Sequence, residues 1–157
     1  MTTARERLAE AGIQLSAPLV PGGAYVPYVW SGKQLLVAGQ ICRIGEEMQY
    51  QGVVGADLTV EEGQAAARLC AVNVLSVVSD ACGGDLTGVR LLSLNGFVRC
   101  TPDFEQQARV MDGASEVFLE ALGDGGRHVR TAVGAYALPR RSPVEISTIF
   151  EVARDAR

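Results

Sequence analysis

The stretch Val144-Glu145-Ile146-Ser147-Thr148-Ile149-Phe150-Glu151-Val152 decides the fold. Successive side chains of a strand point to opposite faces, so Val144, Ile146, Thr148, Phe150 and Val152 share one side and Glu145, Ser147, Ile149 and Glu151 the other. One side is apolar enough to be covered, and the other is half polar. The cover comes from two helical patterns upstream. Thr59 and Glu62 stand as a capping box, which satisfies two backbone donors at a helix start, and the spacing predicts a helix over Val60 to Ala81. Its apolar stripe is Ala66, Leu69, Cys70, Val74 and Val77, and Gly83-Gly84 supplies a left-handed stop. A second helix follows Thr101-Pro102-Asp103, with Asp103 and Gln106 as its expected cap. Its inner face is Val110, Ala114, Val117, Phe118, Ala121 and Leu122, and Gly123 closes it.

Further strands surround these helices. Tyr25 to Trp30 and Gln34 to Ala38 read as a hairpin about Ser31-Gly32-Lys33, Val89 to Val98 as a third strand, and Thr131 to Leu138 as a fourth. Pro139 to Pro143 connects to the last strand. Ahead of the hairpin, Thr2 or Thr3 through Ala11 suits a short helix ending at Gly12, and Ser16 to Ala24 an irregular loop broken by Pro18, Pro21, Gly22 and Gly23. The main order is β-β-α-β-α-β-β, an α+β class with both helices on one face of a sheet. The other sheet face is left to self-association. The whole chain, 1–157, is of a size for one domain.

Composition excludes several function classes. The chain has 14 basic and 18 acidic residues, a net charge of -4, which gives no basic field for a nucleic acid. It is 48% hydrophobic and 20% charged, an ordinary balance for a soluble chain rather than a disordered one. No run approaches the roughly 20 apolar residues that span a bilayer, and Arg5, Glu6, Arg7 and Glu10 interrupt the start where a secretion signal would be apolar. A cytoplasmic protein without membrane partners is expected. Cys42, Cys70, Cys82 and Cys100 lack C-x-x-C spacing, so no metal site is expected and reduced, mostly buried thiols are.

The motif inventory removes nucleotide loops, metalloprotease helices and serine nucleophile elbows. Gly123, Gly125 and Gly126 follow a helix, where glycine terminates rather than cradles a phosphate. His128, the only histidine, is either a structural loop residue or, two positions from Arg130, a general acid or base. Arg130 and Glu145 each stand near the start of a late strand. A fixed guanidinium there can grip a carboxylate through two parallel hydrogen bonds while Glu145 orients water or carries a proton. A cross-strand ion pair between the two is the alternative.

Several segments together resemble the Rid family of reactive enamine/imine deaminases, also called the YjgF family and labelled endoribonuclease L-PSP. They are Gly23-Ala24-Tyr25-Val26-Pro27-Tyr28-Val29, Leu36-Val37-Ala38-Gly39-Gln40, the Val89 to Phe104 stretch, and Arg130-Thr131-Ala132-Val133 through Leu138-Pro139 to Pro143-Val144-Glu145-Ile146. The longer branch of that family is the better match, with an N-terminal extension (1–22 here) and Val54-Gly55-Ala56-Asp57-Leu58 before the first long helix.

The resemblance implies a chorismate-mutase-like fold with two helices on a mixed sheet. It also implies a homotrimeric barrel with clefts between subunits, and hydrolysis of 2-enamine or 2-imine acids to a 2-oxo acid and ammonia without a cofactor. It implies Arg130 as the carboxylate anchor, Glu145 as the water-positioning acid, Tyr25 as the cleft tyrosine and Gly39 as a loop glycine lining the pocket. Ala132 stands where many deaminases carry a cysteine, so its backbone alone would contribute. Asp112 stands where asparagine is common; facing the cleft it would repel a carboxylate, and facing solvent it would be neutral. A non-catalytic 2-oxo acid binding trimer is the second expectation, and a ribonuclease the last.

Overall fold

The computed structural model describes residues 2–153; Met1 and residues 154–157 of the expected 1–157 domain lie outside the described residues. Helix α1 spans Ala4–Glu10, β1 Tyr28–Ser31, β2 Gln34–Ile41, β3 Arg43–Ile44 and β4 Glu47–Met48. Helix α2 spans Val60–Ala81, β5 Val89–Arg99, α3 Gln107–Leu122, β6 Val129–Ala135 and β7 Val144–Val152. Single 3-10 turns at Gly123–Gly126 and Pro139–Arg141 precede β6 and β7.

The main sheet runs β1-β2-β7-β5-β6, antiparallel except for the β5–β6 pair. It is thus a mixed sheet with β6 as a free edge. The alternation of β7 is as expected: Val144, Ile146, Thr148, Phe150 and Val152 are buried, and the residues between them are only partly so. Helices α2 and α3 lie against that buried side, and Phe118 of α3 meets Phe150 edge-on with ring centroids 6.0 Å apart. On the opposite side Val29, Phe97, Val129 and Val133 remain exposed.

Local chemistry accounts for the element limits. Helix α2 begins with Thr59 Oγ accepting from Glu62 N at 3.1 Å and Glu62 accepting from Thr59 N at 2.7 Å. The same reciprocal cap at Thr3 and Glu6 starts α1. Arg7 then donates to the Ala121 carbonyl at 3.1 Å, and Ala4, Leu8 and Ile13 are buried, so α1 is packed onto α3.

Three expectations are corrected. Asp103 does not cap α3: Phe104 N closes a turn onto Thr101 O at 3.1 Å, and the helix starts at Gln107 with no side-chain cap. Strand β1 begins at Tyr28 rather than Tyr25, because Pro27 has no N–H to extend the ladder and contributes only its carbonyl, which accepts from Ala38 N at 2.9 Å. Strand β6 runs Val129–Ala135 rather than Thr131 to Leu138, since its partner β5 ends at Arg99, opposite Ala135. The β3–β4 hairpin is additional, turning at Gly45 with φ of 57°.

Glycine sets how closely α3 approaches its neighbours. A Cβ at Gly113 would lie 3.0 Å from the Gln64 Cα and closer still to its carbonyl, so only glycine lets α3 cross α2 there. That crossing fixes Asp112 and Ser115 above β6.

Candidate functional site

The residues expected to form one site fall into two groups. Glu145 is the second residue of β7, on the side turned away from the helices, and opposes Ile41 of β2 and Phe97 of β5. Strand β2 carries a bulge between Val37 and Gln40, and Gly39 lies within it. Gly39 is therefore a strand residue, not the expected loop residue. A Cβ there would fall on Glu145 Oε1, with the carboxyl carbon only 3.2 Å away, so the missing side chain makes room for the carboxylate. Both residues line a cavity of about 470 Å³ with Tyr25, Arg43, Glu46 and Arg140. Tyr25 reaches it from the irregular segment before β1 and is more than half exposed.

The Glu145 carboxyl has no hydrogen bond or ion pair among the described residues, and burial pushes its pKa above the ordinary carboxyl value. The neighbouring polar groups are engaged elsewhere. Arg43 pairs with Glu46 at 3.2 Å and donates to Val20 O at 2.7 Å, and Arg140 pairs with the other Glu46 oxygen at 3.4 Å. Arg140 and Arg141 hold φ of 55° and 59°, left-handed values that are costly for residues with side chains. Gln51 Nε2 bonds Arg140 O at 2.9 Å, and Gly52 N bonds Arg141 O at 3.0 Å, which holds that turn at the cavity rim.

The second group lies on the opposite side of the sheet. Arg130, second in β6, turns toward α3, where Nη1 donates to Asp112 Oδ1 and to Ser115 Oγ, each at 2.9 Å, and Nη2 to Ala108 O at 3.1 Å. Its side chain retains 21% exposure, and Nε makes no bond among the described residues. Asp112 thus pairs with the guanidinium while its own side chain stays about half exposed. His128, one residue before β6, bonds Ser115 Oγ through Nε2 at 3.0 Å and the Gly126 carbonyl through Nδ1 at 2.6 Å. Ala132 follows Arg130 on the same face, partly buried beneath α3 and opposite Gly96.

Arg130 and Glu145 do not form the cross-strand pair, because β5 separates their strands and the two side chains leave opposite faces. Sequence reasoning missed Ser115, a mid-helix residue with no motif, which only the fold brings to Arg130 and His128. It also missed the shared Glu46 contact of Arg43 and Arg140. The glycines after α3 behave as expected: Gly123 ends the helix with φ of 59°, and Gly126 packs against the Phe118 carbonyl rather than facing a ligand cavity. Of the four cysteines, Cys42 and Cys70 are buried and Cys82 and Cys100 partly so. Among the described residues no cluster of metal-binding side chains occurs, and no helix is long and apolar enough to cross a membrane.

A mixed sheet with paired helices on one face and its charged residues divided between the two faces defines a chorismate-mutase-like α+β protein. The chain belongs to the family described as "YjgF/chorismate mutase-like, putative endoribonuclease", whose model matches residues 5–151. It is 44% identical over 147 residues to Protein TCP17 of Trypanosoma cruzi, covering 92% of this chain and 91% of that protein. The crystal structure of Atu1372, a protein of unknown function from Agrobacterium tumefaciens, is 41% identical with a TM-score of 0.89, covering 95% of this chain and 92% of the other. RidA from the Antarctic bacterium Psychrobacter sp. is 25% identical with a TM-score of 0.60, covering 89% of this chain and 98% of its own.

Proposed function

We propose that this protein is a cytoplasmic, cofactor-independent hydrolytic deaminase of small 2-enamine and 2-imine carboxylic acids, giving a 2-oxo acid and ammonia. It works as a homotrimer in which Arg130 of one subunit meets Glu145, Tyr25 and Gly39 of the next. The observation that carries this reading is the Glu145 carboxyl: unpartnered among the described residues, raised in pKa by burial, and given its space by Gly39 inside a cavity. Perturbed, uncompensated acids in clefts mark functional sites, and a carboxyl shifted toward neutrality suits both taking and returning a proton.

Imine hydrolysis asks little more of a site. The protonated C=N carbon is already electrophilic, so water adds to it while Glu145 accepts the water's proton. Glu145 returns that proton to the carbinolamine nitrogen, and the C–N bond then breaks as the hydroxyl proton passes back to Glu145 or to solvent, leaving the 2-oxo acid and ammonia. Arg130 holds the substrate carboxylate through donors its own contacts leave open, which supplies orientation. Ala132 offers only backbone groups beside it. The free β6 edge and the exposed Val29, Phe97, Val129 and Val133 supply a surface for the assembly this division of residues requires.

The test is hydrolysis of 2-aminoacrylate and 2-iminobutyrate in competition with semicarbazide. Wild-type protein should turn both over, and Arg130→Ala should not; a fully active Arg130→Ala would remove the anchoring role. One observation favours a second reading, a non-catalytic trimer binding a 2-oxo acid: Asp112 already occupies part of the Arg130 guanidinium. Tight 2-oxobutyrate binding by calorimetry with no hydrolysis would select it. A ribonuclease gains no electrostatic support from a chain of net charge -4.

A further inference from the structure

The cavity of about 320 Å³ beside β6 is lined by Ser115, Leu119, Arg127, His128 and Arg130, and its hydrogen bonds have a defined direction. The Gly126 carbonyl can only accept, so His128 carries its proton on Nδ1, 2.6 Å away. Nε2 of the neutral ring is then a lone pair, and at 3.0 Å it accepts the Ser115 hydroxyl proton. Ser115 Oγ in turn accepts from Arg130 Nη1 at 2.9 Å. The chain runs from a backbone carbonyl through an imidazole and a hydroxyl to the guanidinium. Phe118 closes one side of the ring edge-on, with centroids 6.2 Å apart.

We propose that Ser115 and His128 are positioning residues for Arg130, and that proton uptake by His128 is coupled through the Ser115 hydroxyl to carboxylate binding at Arg130. Protonation puts a second N–H on the ring, and Nε2–H then donates to Ser115 Oγ. That oxygen accepts from His128 and Arg130 together, and its own proton is released to turn into the cavity. A carboxylate held on Arg130 provides the acceptor it needs, and its negative charge favours the cationic ring. The other charged groups on this side act less directly. Asp112 sits beyond the guanidinium, and Arg127 lines the same cavity but is paired with Asp124 at 3.3 Å. The coupling rests on reading Arg130 as the carboxylate anchor.

Because His128 is the only histidine, its imidazole nitrogens give an unambiguous nuclear magnetic resonance signal in the whole chain. The neutral ring of the free protein should be the Nδ1–H tautomer; an Nε2–H tautomer overturns the proposal. Calorimetric titration with 2-oxobutyrate near pH 6.5, in buffers of different ionisation enthalpy, should show proton uptake on binding. Ser115→Ala should weaken binding about tenfold and abolish the uptake, consistent with losing one hydrogen bond to a charged group. Ser115→Thr should restore both, and His128→Gln should bind without uptake. Wild-type binding with no uptake overturns the coupling alone. Absence of any binding to the assembled wild-type protein overturns the carboxylate-anchor reading and the coupling with it.

Discussion

The edge strand β6 and the central strand β7 of this sheet carry opposite kinds of charge arrangement. At β6 the Arg130 guanidinium is tied by three hydrogen bonds to α3, and a second tier through Ser115 and His128 stands behind it. At β7 the Glu145 carboxyl has no partner among the described residues and is disfavoured in its ionised form. In the proposed deaminase the tied guanidinium serves orientation and the uncompensated acid serves proton transfer. Each half lacks what the other supplies, and within one chain they face away from each other. The proposed trimer would bring the two halves together between copies.

The largest effects should come from the residues that define the contrast. Glu145→Gln keeps the shape and removes the proton carrier, so turnover should fall by about 100-fold or more. The same variant should resist urea better than wild type at pH 7. Burial raises the carboxyl pKa in the folded state, so wild-type stability falls as the pH rises from the ordinary carboxyl range through the raised value. The advantage of Glu145→Gln should therefore vanish near pH 4; an equal gain at both values would show that the carboxyl is not the cause. Arg130→Lys keeps the charge without the planar fork, and should raise KM about tenfold or more with a smaller change in kcat.

Gly39→Ala should have an intermediate effect. The added methyl meets the Glu145 carboxyl, and crowding of this kind costs roughly 1–3 kcal/mol, readable in thermal or urea unfolding. Activity should drop in step, since the carboxyl must move; unchanged activity would separate Gly39 from the site. The smallest effect belongs to Asp112→Asn. Its pair with Arg130 is half exposed and worth at most about 1 kcal/mol, so its removal should tighten 2-oxobutyrate binding by no more than about fivefold, most clearly at low salt.

Sequence is informative here where the determinants are local. The Thr59–Glu62 cap and Gly83-Gly84 delimit α2 within a few residues, and strict alternation along β7 is enough to put Glu145 on the face the helices leave uncovered. Strands β3 and β4 leave no such mark, because two residues each, Arg43–Ile44 and Glu47–Met48, are too short to show a period. Asp103 misleads because a good capping residue also suits the turn that precedes the helix. Residue types and order single out Arg130 and Glu145 as candidates but not their separation, which depends on β5 lying between β6 and β7. Ser115 and the orientation of Asp112 depend on where α3 crosses the sheet, a matter of tertiary packing at Gly113 that no local pattern records.

The proposed cleft takes Arg130 and Glu145 from different subunits. Its most direct measurement mixes two inactive proteins, Arg130→Ala and Glu145→Gln, in equal amounts after reversible dissociation, and follows 2-iminobutyrate hydrolysis. In randomly mixed closed trimers about one cleft in four receives an intact arginine from one neighbour and an intact glutamate from the other. Activity should recover to about a quarter of wild type by that count. No recovery from mixed trimers, under conditions where wild-type protein treated in the same way is active, would contradict the account.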